Sequence, residues 1–367
     1  MAIAHERCRA GGSPQDLLIV ADDLTGALDA AGSFARPESP IQIWFDPPIS
    51  TSGRNAIDTD SRDLGQADAI DRVAAAFSGQ NAMAGRAAFK KIDSMMRGHP
   101  IAEAVAAFRS GGFQRALVAP AFPAMGRLTI GGRQFVDFFG ARGPVGPSLV
   151  DALSSQGVPA RMIGDSGPDE GFLVADASSD ADLLAAVKRF AEGVHGLYVG
   201  TAGLASALAG SSGTHIQPPP IDVAICGTLH PVTLKQIELA NAHEAVVMDG
   251  QMAKLPAAPC LLVAPSRCDS EQEAREIIAR SLERVVRDRK PTAIFVTGGW
   301  TLRTLSRICA TDRLLCIGIY QAGVPVCRMV GGAWDGATVV SKSGGFGNER
   351  LLADLFALQD GFVQTHR

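Results

Sequence analysis

The chain has 367 residues, which is long for one compact core and fits two domains of roughly 100 to 200 residues each. Apolar residues make up 46% and charged residues 20%, and 34 basic side chains nearly balance 38 acidic ones. This is an ordinary globular composition, and it argues against partners that require a strongly basic surface, such as nucleic acid or an anionic membrane.

The N-terminal residues and the cysteines indicate a cytoplasmic protein. Residues 1–15 lack the apolar centre of a signal peptide and are predicted to form a disordered tail. No apolar run approaches the ~20 residues that a membrane span needs. The seven cysteines are scattered, without a CxxC pair or zinc spacing, so we expect reduced thiols that serve packing.

Short apolar runs alternate with longer segments of helical period, which is typical of parallel α/β units. In the first half the predicted strands are LLIVA (17–21), AAFKKID (87–93), RALVAP (115–120), GFLVADA (171–177) and GLYVG (196–200). In the second half they are VAICG (223–227), CLLVAPS (260–266), AIFVTGG (293–299), LLCIGI (314–319) and TVVSKS (338–343). Helices are predicted between them, most clearly over Asp180–Glu192 and Asp269–Arg289.

The stretch SSGTHIQPPP, residues 211–220, is the best candidate linker because small polar residues run into three prolines. It separates a predicted domain over 16–210 from a second over 221–367. We therefore predict an α/β fold of two domains, each with a mostly parallel sheet flanked by helices, facing each other across a cleft. Such a cleft is the default ligand site.

Two carboxylates, Asp22 and Asp23, directly follow the first predicted strand. Ligands of open parallel sheets bind outside the carboxyl ends of the strands, so both residues are candidates for a site. One aspartate is equally well explained as the cap of a helix that starts near Thr25. The sequence leaves open which of the two is the cap.

Acids and arginines recur after other predicted strands. Each such loop taken alone is also explained by a local salt bridge, but four together favour a site for a polar, anionic small molecule. Arginine forks bind carboxylate or phosphate, and aspartates accept hydroxyl hydrogens, so a polyhydroxy acid suits both. The residues are Asp58, Asp60, Ser61 and Arg62; Asp93, Ser94 and Arg97, ahead of a helix predicted to start at Pro100; and Arg127 and Thr129.

Glycine turns follow three strands of the second half. Neither a GxxxxGK[ST] loop nor a strand-placed GxGxxG is present. Such turns can point backbone N–H groups at phosphate oxygens. A single one is better explained by a tight turn, and His230 alone by a loop or cap role, but three such turns, one with a lysine, favour nucleotide binding. The turns hold Gly227, Thr228 and His230; Gly298 and Gly299; and Lys342, Gly344, Gly345 and Gly347.

Six segments of the chain carry a family resemblance: ADDLTGALDAAGSFA, KKIDSMMRGHPIAEA, APAFPAMGRLTIGG, VGTAGLASAL, VTGGWT and SKSGGFG, in this order. With them the chain resembles the four-carbon acid sugar kinase family over nearly its whole length after the tail. Members phosphorylate threonate, erythronate or 3-oxo-tetronate at C4 with ATP. The resemblance implies that the N-terminal domain holds the sugar acid and the C-terminal domain holds ATP.

The resemblance also implies site residues and an in-line transfer of the γ-phosphoryl group to a terminal hydroxyl. Asp22, Asp23 and Asp93 look like the catalytic set, and Arg62, Ser94, Arg97 and Arg127 look like substrate ligands. Mg²⁺ is expected with the nucleotide, with no ligands assigned. The implied nucleotide contacts are Gly227, Thr228, His230, Gly298, Gly299, Trp300, Thr301, Lys342, Gly344 and Gly345.

The chain departs from the family pattern at two loops. DSMMRG places Met95 where the family has the threonine of DSTLRG, and GTLHP places His230 where it has a serine of GSCS. The chain is also shorter than typical members, with a reduced region after GGRQFVDFFGARG. A diverged protein that only binds sugar acids or a protein partner therefore stays an alternative. The missing GxGxxG disfavours a dinucleotide-dependent dehydrogenase. A homodimer is expected only because dimers are common among soluble enzymes.

Overall fold

The computed structural model describes residues 16–46, 53–78, 87–138, 141–191, 196–211, 213–240, 245–251 and 257–364. The chain divides into two compact units. The N-terminal unit comprises Met1–Phe34 and Ile41–Gly213, and the C-terminal unit comprises Ala35–Pro40 and Thr214–Arg367. The predicted tail over 1–15 lies outside the described residues, and the domain limits inferred from the sequence stay a prediction.

The N-terminal unit is built on an eight-stranded parallel sheet and a small antiparallel one. Its strands are β1 (Leu17–Ala21), β2 (Ile41–Trp44), β3 (Arg54–Asp58), β4 (Ala87–Lys91), β5 (Arg115–Ala119), β6 (Arg127–Ile130), β7 (Arg133–Phe138), β8 (Ala141–Val145), β9 (Ala160–Met162), β10 (Gly171–Val174) and β11 (Leu197–Gly200). The parallel sheet has the order β2-β3-β1-β4-β11-β5-β10-β9, and β6-β7-β8 form the antiparallel sheet.

Helices connect these strands because the parallel strands need long crossovers. β1 and β4 are buried along their whole length, and their side chains join the core under the helices. A short 3₁₀ turn over Pro123–Met125 precedes β6. The helices are α1 (Leu24–Phe34), α2 (Gln66–Ser78), α3 (Pro100–Ser110), α4 (Leu149–Ser154), α5 (Asp180–Ala191) and α6 (Ala202–Ala209).

The C-terminal unit has a seven-stranded mixed sheet of order β13-β14-β12-β15-β18-β17-β16, with a separate buried core. Its strands are β12 (Val223–Cys226), β13 (Ala245–Val247), β14 (Cys260–Val263), β15 (Ala293–Thr297), β16 (Arg313–Gln321), β17 (Val324–Val330) and β18 (Thr338–Lys342). Its helices are α7 (Pro231–Leu239), α8 (Glu271–Asp288), α9 (Gly299–Ile308) and α10 (Leu351–Gln364).

The predicted α/β class with mostly parallel sheets is confirmed, and every strand predicted from the sequence is present. The predicted helices over 180–192 and 269–289 correspond to α5 and α8, and Pro100 is the first residue of α3. LLCIGI lies in β16, which runs antiparallel to β17. Only two residues, Ala322 and Gly323, connect these strands, and so short a loop forms a hairpin rather than a parallel crossover.

The cysteines of the described chain are all free, and most of them are buried, as expected for thiols that serve packing. Cys8 lies outside the described residues. No helix in the described part of the chain is long and apolar enough to cross a membrane.

Candidate functional site

The carboxyl ends of three neighbouring strands of the N-terminal unit lie side by side. In the register of the parallel ladders, Ala21 at the end of β1 lies opposite Asp58 of β3 and Lys91 of β4. The loops that follow these strands therefore leave the sheet together. They carry the acids and arginines that the sequence singles out.

Asp23 is the cap of α1. Its Oδ1 accepts the backbone N–H of Gly26 at 2.9 Å, and its carbonyl oxygen accepts that of Ala27 at 3.0 Å. The Thr25 hydroxyl donates to its Oδ2 at 2.6 Å. Asp22 is only 2% exposed, and it does not cap the helix. The structure thus separates the two carboxylates that the sequence left equivalent.

Arg62 lies among three carboxylates. Its Nε donates to Asp22 Oδ2 and its Nη2 to Asp23 Oδ1, both at 2.7 Å, and its Nη2 is 3.7 Å from Asp93 Oδ1. The backbone N–H groups of Ser61 and Arg62 both donate to the Asp22 carbonyl. Burial alone would lower the pKa of Arg62, but the aspartates outweigh it and raise that pKa. Arg62 is therefore a fixed cation that holds Asp22 and Asp23 in place.

Asp93 holds the turn that carries Arg97. It accepts Arg97 Nη2 on Oδ1 at 2.8 Å and Arg97 Nε on Oδ2 at 3.0 Å. The backbone N–H groups of Met95 and Arg97 also donate to Oδ2. Burial would raise the pKa of Asp93, but Arg97, Arg62 and Lys91 outweigh it and hold that pKa well below its usual range. Both carboxylate oxygens of Asp93 are thus engaged by hydrogen bonds within this turn.

The antiparallel sheet brings Arg127 to the Asp93 turn. The buried amide of Gln134 on β7 donates to the carbonyls of Ser94 at 3.1 Å and Pro120 at 3.2 Å, and its oxygen accepts the Thr129 hydroxyl. Arg127 donates through Nη1 to the Met125 carbonyl. Its buried Nε has no acceptor among the described residues. Burial lowers the pKa of Arg127. The charge of Asp93 opposes this shift, and the charge of Arg97 adds to it.

A buried ion pair under the site was not predicted. Lys90 Nζ lies 2.8 Å from Glu103 Oε2, with both side chains almost fully buried. Glu103 Oε1 accepts the Ser61 hydroxyl at 2.7 Å, which links the pair to the loop of Arg62. Consecutive lysines in a strand that is otherwise apolar are the sequence signal that indicates this network.

Two further charged residues near this cluster were also missed. Lys91 is buried, and its Nζ donates to the Ile92 carbonyl at 2.8 Å. Burial raises the pKa of Asp22, but Arg62, Lys90 and Lys91 outweigh it and keep that pKa below its usual value. Asp29, half-buried on α1, has its pKa raised to about 6 by burial, with Lys91 opposing the shift.

Asp22 keeps one carboxylate oxygen unused. Its buried Oδ1 finds no hydrogen-bond partner within the described ranges. An ionised buried oxygen without a donor is costly unless a ligand supplies one. Asp22 Oδ1 is therefore an acceptor available to a hydrogen-bond donor of a ligand.

The three glycine turns of the C-terminal unit follow β12, β15 and β18, whose carboxyl ends lie side by side in the sheet. Thr297 at the end of β15 lies opposite Cys226 of β12 and Lys342 of β18. A Cβ added to Gly227 would lie 1.9 Å from the Oγ1 of Thr301. The N–H of Gly298, whose φ is +97°, donates to the Lys342 carbonyl at 3.1 Å.

The turn after β12 packs against the turn after β18. A Cβ on Gly344 would approach His230 to 3.0 Å and Thr228 to 3.2 Å, and one on Gly345 would approach the His230 ring to 3.2 Å. His230 Nδ1 accepts the Val232 N–H at 3.2 Å, so this histidine is the cap of α7.

Trp300 is placed differently from the other predicted nucleotide contacts. Gly299 and Trp300 begin α9, and the Trp300 ring lies 5.4 Å from the guanidinium carbon of Arg275 on α8. This contact is a cation–π interaction within the unit. Thr301, one residue on, contacts Gly227 instead.

Replacing Gly227 by alanine is expected to destabilise the unit and weaken nucleotide binding. The added methyl group would overlap the buried Thr301, so the strand end or α9 must shift. Overpacking of this kind costs ~1–3 kcal/mol in the free energy of unfolding. Urea unfolding and ADP titration measure both effects. Gly164→Ala, where the methyl group meets open space, is the control, and a Gly227→Ala protein with unchanged stability would contradict the prediction.

The chain matches two families of known domains. A sugar-binding N-terminal domain family matches residues 17–159, and a nucleotide-binding C-terminal domain family matches residues 265–352. Together these matches span more than half of the chain.

Two curated relatives match nearly end to end. A D-threonate kinase from Bordetella bronchiseptica is 28% identical over 91% of this chain and 95% of its own length. A D-threonate kinase from Salmonella typhimurium is 23% identical over 92% of this chain and 97% of its own length.

Solved structures share the fold. A crystal structure from Salmonella typhimurium LT2 has a TM-score of 0.71 at 17% identity and covers 94% of this chain and 98% of its own. A Haemophilus influenzae protein has a TM-score of 0.67 at 16% identity, with 94% and 99% covered. With both domain families in order, the chain belongs to the four-carbon acid sugar kinase family, whose members are ATP-dependent kinases.

Proposed function

We propose that this protein transfers the γ-phosphoryl group of ATP to the C4 hydroxyl of a four-carbon sugar acid such as threonate, erythronate or 3-oxo-tetronate. The observation that carries the proposal is the unused, buried Oδ1 of Asp22 in a loop cluster rich in arginine. The D-threonate kinases among its relatives support the same substrate class.

Arg127 and Arg97 are the proposed ligands of the substrate carboxylate. Arg127 has an unused buried Nε, and the Arg97 side chain is 62% exposed although Asp93 holds it. Arg62 is less suited because its side chain is only 17% exposed and lies among three aspartates. A planar guanidinium meets two carboxylate oxygens at once, which fixes the acid at one end.

Asp22 is the proposed orienter of the attacking hydroxyl and acceptor of its proton. Arg62, Lys90 and Lys91 keep it ionised at neutral pH, so Oδ1 can only accept a hydrogen bond. Phosphoryl transfer passes through a loose transition state and asks mainly for positioning. A carboxylate of low pKa suffices because the hydroxyl becomes acidic only as the bond to phosphorus forms.

ATP is the proposed ligand of the three glycine turns after β12, β15 and β18. Mg²⁺ would offset the negative charge of the triphosphate. No three His, Cys, Asp or Glu side chains form a metal cluster in the described chain. This fits Mg²⁺, which is commonly held by phosphates, water and one or two carboxylates, so we assign it no ligand set.

ADP release with a panel of four-carbon sugar acids tests this function. Wild-type protein with Mg·ATP should turn over at least one member, and the matching 4-deoxy acid should bind without turnover because it lacks the attacking hydroxyl. Binding of the acids without ADP release from any of them would instead support the diverged, non-catalytic alternative.

A further inference from the structure

We propose that Lys342 does not bind the nucleotide phosphates itself but forms, with Thr233 and Gln236, a buried frame that turns the N–H groups of the 343–347 loop outward to bind them. This inference rests on the proposed function and assigns Thr233, Gln236 and Lys342 as positioning residues. The ligand class is a nucleoside di- or triphosphate. The inference differs from the expectation that Lys342 is itself an ATP contact.

The three N–H bonds of the Lys342 ammonium group match three acceptors within the protein. Its Nζ lies 2.8 Å from Thr233 Oγ1, 3.0 Å from the Gly344 carbonyl oxygen and 3.2 Å from that of Ser343. An ammonium group has three donors and no more. The side chain is 1% exposed, so a phosphate would have to displace these partners to reach it.

Helix α7 supplies the other members of the frame. Thr233 and Gln236 are three residues apart and so lie on one face of the helix, and both are buried. The Thr233 hydroxyl donates to the Gly344 carbonyl at 2.8 Å. Gln236 Nε2 donates to the carbonyls of Phe346 at 3.2 Å and Asn348 at 2.8 Å. The frame thus binds the loop through its carbonyl oxygens only.

Peptide planarity then sets the direction of the N–H groups. In a trans peptide the carbonyl and the following N–H point to opposite sides. With the carbonyls of Ser343, Gly344 and Phe346 held by the frame, the N–H groups of Gly344, Gly345 and Gly347 point away from it. These three N–H groups have no acceptor within the part of the chain that is described.

Successive outward N–H groups form an anion-binding concavity. Glycine at 344 and 345 leaves the backbone open to a phosphate, because a side chain there would also press against Thr228 and His230. The residues of the loop are half-buried, so part of the loop is open to solvent. Backbone donors, oriented by buried side chains, are therefore the proposed phosphate ligands.

Thr233→Val tests the frame, because valine keeps the shape of threonine and removes the hydroxyl. Loss of a buried hydrogen bond to a charged group should raise the KM for ATP and the Kd for ADP about tenfold. The Kd for adenosine, the KM for the sugar acid and kcat should stay within about twofold of the wild type. Thr233→Ser should restore the ADP affinity. Thr338→Val, a buried threonine at the other end of β18, is the matched control and should leave every constant unchanged.

Direct phosphate binding by Lys342 predicts the opposite result. Losing the Thr233 hydroxyl would then free the ammonium group, and the Kd for ADP would stay the same or fall; this outcome overturns the inference. The proposed function fails separately if wild-type protein binds ADP, Thr233→Val weakens that binding, and no sugar acid is phosphorylated. Absence of ADP binding by the wild type would overturn both.

Discussion

Asp22→Asn is expected to lower kcat about 100-fold or more, with a small change in the KM for the sugar acid. Asparagine keeps the size of the side chain and an oxygen that can accept from Arg62, but it removes the carboxylate proposed to orient the hydroxyl and accept its proton. A loss confined to kcat is the signature of an interaction made in the transition state. Initial-rate kinetics with both substrates varied measure it.

Two matched variants separate Asp22 from its neighbours. Asp23→Asn keeps an efficient helix cap, because asparagine caps as well as aspartate, and should cost less than about tenfold in kcat. Asp29→Asn should also lower kcat by less than about tenfold if Asp29 is not the base. Asp29 is tested because its raised pKa makes it the other candidate base. A loss of kcat in Asp29→Asn that matches or exceeds the loss in Asp22→Asn would transfer the proton-accepting role to Asp29.

Lys90→Met is expected to lower the free energy of unfolding by ~3–5 kcal/mol, because it leaves the Glu103 carboxylate buried without its cation. The pKa of Asp22 should also rise, since Lys90 is one of the charges that lower it. Urea unfolding monitored by circular dichroism measures the first effect.

The double variant Lys90→Met/Glu103→Gln is the control for that prediction. It removes both charges and keeps an amide oxygen to accept from Ser61, so most of the lost stability should return. If the free energy of unfolding of Lys90→Met lies within about 1 kcal/mol of the wild-type value, the ion pair does not stabilise the fold as the structure indicates.

The strands and the loop cluster followed from sequence because both depend on local pattern and sheet geometry. LLIVA and AAFKK are apolar runs of strand length, and the parallel ladder aligns their carboxyl ends. Residues that directly follow such strands must lie together. The sequence alone therefore predicts Asp22, Arg62 and Asp93 in one cluster.

Other features depend on directions that a sequence does not encode. Asp22 and Asp23 are chemically identical, and only the helix start shows that Asp23 is the cap. The small antiparallel sheet was missed because ARGPV and RQFVDF lack a continuous apolar run. Lys342 suggests a phosphate ligand from its place after a strand, and only the structure shows that its ammonium group donates to the Ser343 and Gly344 carbonyls.

The position of the transferred phosphate is the most direct test of the proposed function. Wild-type protein is incubated with Mg·ATP and the preferred four-carbon sugar acid, and the product is analysed by ³¹P and ¹³C NMR. The proposed function predicts a phosphomonoester coupled to the C4 methylene carbon. Phosphate on C2 or C3, or no phosphorylated acid beside intact ATP, would contradict it.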